Sequence, residues 1–390
     1  MKKIISVLTA TRAEYGLLKP VVAKLLEYEE FDVRIVATGM HLSAKYGFTY
    51  KEVEEDGFAI DEKIDILEDS NTEAAISKSM GTALIKFSNY FEKLKPDMLM
   101  VLGDRYETLA VCCAAMNARI PIAHLYGGET TEGAIDEAIR HAITKMSYLH
   151  FTSTLEYRKR VIQLGESPDR VYQVGALGIE NILKTNLLSK EELERSIQFK
   201  LDKPYGVVTF HPVTLEDNTV KEQFYNLLCA MDKHDELKYI ITKANADANG
   251  VMINEIIDQY AAVHDNVIAY PSLGMLRYLS ALKYCSMVIG NSSSGIIEAP
   301  SFGIPTVNIG DRQKGRIQSD SIINCRAECD SINEAIKAAL NEEFIKKAKR
   351  TVNPYGDGHA SDRIVNVIKE YLLENRINLK KKFYDITFMC

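Results

Sequence analysis

The chain alternates short apolar runs with longer segments whose apolar residues recur at helical spacing, and this rhythm leaves few folds open. The runs "IISVLT", "DVRIVAT", "MLMVLG", "PIAHLY", "LHFTS" and "VYQVG" punctuate the first half. Between the first two, Leu17, Leu18, Val21, Val22, Leu25 and Leu26 keep to one helical face, and "ETLAVCCAAMNA" reads as a buried helix between the third and fourth. Strands linked by helices in this way form parallel sheets covered on both faces. A second series, "YGVVTFHP", "LKYIITKANAD", "NVIAYPS", "SMVIGNSSS" and "IPTVNIG", repeats the pattern. At 390 residues the chain is long for one core, and the polar stretch over 182–204 breaks the alternation. Two doubly wound α/β domains of Rossmann-like type are therefore expected, over 1–182 and 183–364. The final helix "RIVNVIKEYLLE" and the tail, 365–390, are expected to pack back on the first domain.

Composition narrows the function classes. Hydrophobic residues at 46% and charged residues at 26% describe a folded globular chain. A net charge of -7 argues against nonspecific attachment to nucleic acid or to an anionic membrane, so any anion site must be local. The opening "MKKIISVLTATRAEYG" reads as a first strand rather than a leader, and no run is long enough to cross a bilayer. A cytoplasmic enzyme is the expectation. Seven cysteines without regular spacing point to free buried thiols, and Cys325 with Cys329 lacks the second pair that zinc would need.

The segment "GNSSSGIIEAPSFGIPTVNIGDRQKGR" at 290–316 carries the clearest binding signal. An apolar strand runs into a small polar turn and then a short helix. The amides of Ser292, Ser293, Ser294 and Gly295 are expected to face a phosphate, with Gly295 admitting close approach. Glu298, one turn on, suits ribose hydroxyls, and Arg312, Lys314 and Arg316 supply charge for a diphosphate. An ordinary helix cap uses the same residues. Neither GxGxxG after the first strand nor GxxxxGK[ST] is present, which speaks against a dehydrogenase or a Walker-type NTPase.

Other candidates cluster where open parallel sheets collect ligands, at the C-terminal ends of strands. Arg12 follows the first strand; Asp104 and Arg105 follow "MLMVLG"; Glu129, Asp136 and Arg140 lie in "GGETTEGAIDEAIRH"; His211 ends "TFH". Singly, each reads as an ion pair, a cap or a core histidine, as His124 and His141 also do. Their shared location points to one interdomain cleft.

Taken together, "TRAEYGLLKP", "TGMHL", "LGDRYE", "GGETTEGAIDEAIRHAITK", "HPVT", "GNSSSGIIE", "GIPTVNIGDRQKGR" and "YGDG" resemble the hydrolysing UDP-N-acetylglucosamine 2-epimerases of sialic-acid synthesis, over nearly the whole chain. The resemblance implies a GT-B-type fold, UDP mainly on the second domain, the sugar between the two, and no nicotinamide or required metal. It also implies anti elimination of UDP to a 2-acetamidoglucal, followed by hydration to N-acetylmannosamine. By motif, Asp104, Glu129, Asp136, Arg140 and His211 fall at catalytic positions. Arg12, His41, Asn245, Ser292, Ser293, Ser294, Gly295, Glu298 and Arg312 fall at substrate-binding ones. A homodimer or homotetramer is implied, and "NTEAAISKSMGTALIKFSNYFEKL" offers a helix for an interface or for its own sheet.

One departure bears on substrate. Many family members read H-x-E-G-G-E, whereas this chain reads "HLYGGE", with Tyr126 at the first glutamate's place; Glu180 stands where aspartate is familiar. Tyr126 offers its ring to an apolar substituent on the sugar. The alternatives are thus a hydrolysing epimerase of UDP-2,4-diacetamido-2,4,6-trideoxyglucose, a non-hydrolysing epimerase, a GT-B glycosyltransferase and a UDP-sugar sensor without turnover.

Overall fold

The computed structural model describes residues 2–70, 72–130, 135–211, 220–244 and 248–387. Two compact units emerge, one built from the described parts of 1–181 together with 355–387, the other from those of 182–354.

The first unit carries a seven-stranded sheet in the order β3-β2-β1-β4-β5-β6-β7. Its strands are β1 (Lys3–Thr9), β2 (Phe31–Thr38), β3 (Ile60–Ile64), β4 (Met98–Leu102), β5 (Ile122–Leu125), β6 (Leu149–Thr152) and β7 (Val171–Gln173), all pairing in parallel. Side chains alternate across it with the period of a strand. Ile5 and Val7 face a core with Leu18, Val21, Leu25, Ile364 and Ile368, whereas Leu8 joins Val36, Phe87, Phe91 and Val111 on the other face. The helix Glu73–Leu94 thus covers its own sheet through Ala83, Phe87 and Phe91.

The second unit holds a six-stranded parallel sheet ordered β10-β9-β8-β11-β12-β13. Its members are β8 (Tyr205–Thr209), β9 (Lys238–Thr242), β10 (Val267–Tyr270), β11 (Met287–Gly290), β12 (Thr306–Ile309) and β13 (Ile322–Cys325). Two parallel-sheet α/β units with flanking helices constitute the expected fold class. In each sheet the strand order reverses beside the first strand, at β1/β4 and β8/β11. Open sheets of this kind bind ligands at such reversal points, beyond the strands' C-terminal ends.

The cysteine expectation is corrected. The helices Val220–Asp232 and Cys329–Leu340 pack on one sheet face, and a disulfide joins Cys229 to Cys329 across a Cα separation of 5.8 Å. Cys112, Cys113, Cys285 and Cys325 are free. Among the described residues no helix is long and apolar enough to cross a membrane.

The last segment is tied into the first unit. Glu180, fully buried, accepts from Ser361 N–H at 2.7 Å and from the Ser361 hydroxyl, placing a carboxylate at the start of the helix Ala360–Leu373. Beyond that helix, Lys381 reaches the buried Glu166 at 2.9 Å, where Lys145 at 2.6 Å, His150 at 3.1 Å and Arg170 at 3.6 Å also converge. Burial pushes the Glu166 carboxyl up, but His150, Lys145 and Lys381 outweigh it and bring it down to about 2. The carboxylate is therefore ionised and can only accept, so His150 donates from its ring N–H.

Removing Lys381 strips one charge-assisted bond from this cluster. Lys381→Met is expected to lower unfolding stability by about 1–3 kcal/mol at neutral pH, read from urea denaturation. The unfolded chain protonates Glu166 near its ordinary 4.5 and the folded chain only near 2. The cluster's contribution is therefore complete above about 4.5 and fades as pH falls toward 2, and the gap between variant and wild type should narrow with it.

Candidate functional site

In the second unit the site is organised around Asn291. Gly290, at φ +131°, brings β11 so close to β8 that a Cβ would collide with the Thr209 carbonyl. The next residue, Asn291, is 1% exposed and ties the two strand ends together. Its Oδ1 accepts from His211 N–H at 2.7 Å, and its side-chain NH2 donates to the His211 carbonyl at 2.8 Å. Its own carbonyl accepts from Arg312 at 2.9 Å and from Gln313 Nε2 at 2.8 Å. His211, Arg312 and the serine turn are thereby gathered at the β8/β11 reversal point.

The serine turn differs in detail from the sequence expectation. Ser292 caps the short helix Ser293–Ile297, its hydroxyl accepting from Ser294 N–H at 3.3 Å, and Gly295 N–H bonds to the Ser292 carbonyl at 3.2 Å. Those two amides are occupied within the turn, and the Ser294 hydroxyl accepts from Tyr278 at 2.8 Å. Gly295 also serves packing, since a Cβ would stand 2.8 Å from Thr306 Cγ2 on β12. Ser292, Ser293 and Glu298 remain half-buried at the turn.

Cationic character at this point is concentrated in Arg312. Burial of the guanidinium and the nearby charge of Arg316 press its pKa below the ordinary value, and no carboxylate pairs with it among the described residues. Two neighbouring cations, one lacking a counter-ion, make a site for an anion. Asn245 and the stretch following His211 lie outside the described residues.

The first unit presents acids. Arg140, 3% exposed on the helix Ile135–Met146, donates to Asp104, to Glu137 at 3.0 Å and to the Glu129 carbonyl at 2.7 Å. The Glu129 carboxylate, itself buried, accepts from Ser153 at 2.7 Å. Asp136, half-buried at the start of the same helix, has its pKa raised by burial and by Asp104. The fold thus assembles Asp104, Glu129, Asp136 and Arg140 from the ends of β4 and β5 and the helix that follows.

Two other expected residues have internal partners. His41, expected near the sugar, bonds Thr9 at 2.9 Å and Thr49 at 2.8 Å through its two ring nitrogens, and burial brings its pKa down to about 4. Both nitrogens are spent within the protein. Tyr126 accepts from Leu177 N–H at 2.8 Å through its hydroxyl, and its ring packs against the first unit's core. His124 is a neutral core histidine bonded to the Gly103 carbonyl, with its pKa lowered to about 3 by burial. Arg12 pairs with Glu52 at 2.9 Å, an exposed bridge that an incoming anion can replace at little cost.

The first β–α turn is already filled. Glu14 closes a capping box, its Oε2 accepting from Ala10 N–H at 2.8 Å and Thr11 N–H at 3.1 Å. The amides that a phosphate would use there hold the chain's own carboxylate. Sequence reading missed Asn291, Gln313, Glu14 and Glu107; for Asn291 the one signal was a polar residue directly after a buried strand. Among the described residues, no group of three side chains is arranged to hold a metal ion.

The chain belongs to the UDP-N-acetylglucosamine 2-epimerase family, whose model it matches over residues 23–369. It is 43% identical over 344 residues to the GDP/UDP-N,N'-diacetylbacillosamine 2-epimerase (hydrolyzing) of Campylobacter jejuni, covering 88% of this chain and 89% of that protein. It is 41% identical to the polysialic acid biosynthesis protein P7 of Escherichia coli, over 99% of this chain and 98% of that one. It is 36% identical to the UDP-N,N'-diacetylbacillosamine 2-epimerase (hydrolyzing) of Legionella pneumophila, over 98% and 100%. The GT-B-type fold is shared with the Methanocaldococcus jannaschii UDP-GlcNAc 2-epimerase, solved in complex with UDP-GlcNAc and UDP. That structure matches with a TM-score of 0.77 at 20% identity, over 94% of this chain and 99% of that one.

The Asn291 clasp is open to direct measurement. Asn291→Ala leaves the His211 N–H and carbonyl without these bonds and is expected to cost about 2–4 kcal/mol, read as a lower urea midpoint with an unchanged m-value.

Proposed function

We propose that the protein is a hydrolysing 2-epimerase of UDP-2,4-diacetamido-2,4,6-trideoxyglucose, releasing UDP and the 2-epimeric free sugar. The reading rests on the acid cluster around Arg140 in the first unit. The Campylobacter and Legionella relatives, both named as hydrolysing diacetylbacillosamine epimerases, support the sugar. A second reading, UDP-N-acetylglucosamine yielding N-acetylmannosamine, is favoured by the similarity to the polysialic acid protein.

In this mechanism a carboxylate takes the proton from C2, the C1–O bond to UDP breaks, and C1=C2 forms. Water then adds its hydroxyl at C1 while a proton returns to C2 on the opposite face. No net oxidation occurs, so the chemistry asks for no redox cofactor. Two acids with different proton affinities suit these steps. Asp104, held by Arg140, is assigned as base; Asp136, whose pKa burial and the neighbouring Asp104 push above its ordinary value, is assigned as the acid on the other face. Glu129 lines the same cluster. In the second unit Arg312, Ser292, Ser293 and His211 are assigned to the departing diphosphate, and Glu298 to the ribose.

The deciding experiment incubates the protein with each UDP-sugar in deuterated water and follows products by NMR. Free UDP with a 2-epimeric sugar deuterated at C2 is expected, faster from the diacetamido substrate; faster turnover of UDP-N-acetylglucosamine selects the second reading, and turnover of neither rejects both. Asp136→Asn is expected to lower kcat about 100-fold with little change in KM. Arg312→Ala is expected to weaken UDP binding about 10- to 100-fold in calorimetric titration.

A further inference from the structure

Beneath Arg105 the first unit buries two carboxylates where one cation is at hand. Glu107, fully enclosed, accepts from Arg105 Nε, and the guanidinium also contacts Met40. Glu14 is 8% exposed and uses only Oε2 in its capping box. The other oxygens, Glu14 Oε1 and Glu107 Oε2, are buried and meet no donor. A Cβ on Gly39 would stand 3.5 Å from Glu107 Oε1 and 3.3 Å from the Ala10 carbonyl, so the ends of β1, β2 and β4 close on one small volume. The ionisable groups around it are Arg105, Tyr106 and Glu107 after β4, with Tyr46 acting on Tyr106 and Asp136 within the field of Arg105, and His41 after β2 with Tyr15 edge-on to it; Arg12 opens the first helix. His41 is neutral there and Arg12 is paired with Glu52.

Two ionised carboxylates opposite one guanidinium would leave a surplus negative charge out of water, which is expensive. A single bound proton removes the surplus. We propose that Glu14 and Glu107 together carry one negative charge, and that this matched charge makes them positioning residues that hold Arg105 beside Asp104 for the reaction of the first unit. Glu14 is the member that keeps the proton: burial, and then Glu107, push it up to about 7 against the pull of Arg105 and of the Ala10 and Thr11 amides. Once Glu14 ionises, Arg105 is gripped by two negative groups and presents less of its charge to a ligand.

The turnover arm of the test rests on the function proposed above; the titration arm does not. Carbon NMR of glutamate-labelled protein, with Glu14→Gln as the assignment control, should show one carboxyl titrating near 7 that disappears in the variant. Wild-type kcat/KM should fall about tenfold per pH unit above that midpoint. In Glu14→Gln, whose amide imitates the protonated acid and can still cap Ala10 and Thr11, kcat/KM should vary less than about twofold across the same range. A Glu14 carboxyl titrating near its ordinary 4.5, or an alkaline fall unchanged in Glu14→Gln, overturns the proposal. If no UDP-sugar is turned over, the proposed function fails while the titration still decides the carboxyl pair.

Discussion

The second unit's site depends on how closely β8 and β11 approach at their ends. Only a residue without a Cβ tolerates the carbonyl of Thr209 at position 290, and the backbone so placed delivers Asn291 between the two strands. From that one residue the remaining positions follow. His211 is fixed through its own backbone, while Arg312 and Gln313 are drawn in by the Asn291 carbonyl. A buried amide with every polar atom engaged is rigid as well as costly to disturb. The cation it presents is therefore held in place before any anion arrives.

The two units share an architecture but distribute charge differently. In the first, the amides at the β1 turn are satisfied by Glu14, and the reversal point is rich in carboxylates organised by Arg140 and Arg105. In the second, arginines crowd the corresponding place, and burial with like charge makes Arg312 less willing to hold its proton. The proposed reaction, a proton moved at carbon and a diphosphate released, draws on both kinds of environment.

Much of the fold was legible because buried parallel strands read as apolar runs. The strands missed were β3 and β13, which sit at sheet edges; β3, "IDEKI", carries three charged residues in five and buries only Ile64 fully, too little to give it a pattern. Acidic and basic residues at strand ends were legible because topology fixes where those ends lie. Their partners were less so. Whether a serine-turn amide faces a ligand or the hydroxyl two residues back, or whether His41 meets a sugar or Thr9 and Thr49, depends on backbone geometry that residue order alone does not give. Glu14 gave no sign of a site in the sequence, since a capping box is satisfied locally and its burial appears only in the folded chain. The disulfide escaped for the same reason, its cysteines lying 100 residues apart.

The first unit is discontinuous, built from both ends of the chain with the second unit encoded in the middle. On a ribosome the arginine-bearing half can therefore complete its sheet while its predecessor still lacks the helix capped by Glu180 and the lysine that reaches Glu166. Until those residues emerge, the core that Leu18, Val21 and Leu25 share with Ile364 and Ile368 lacks its last helix, a window of apolar exposure that closes only once that helix is made. The half that is translated first is thus the last to mature.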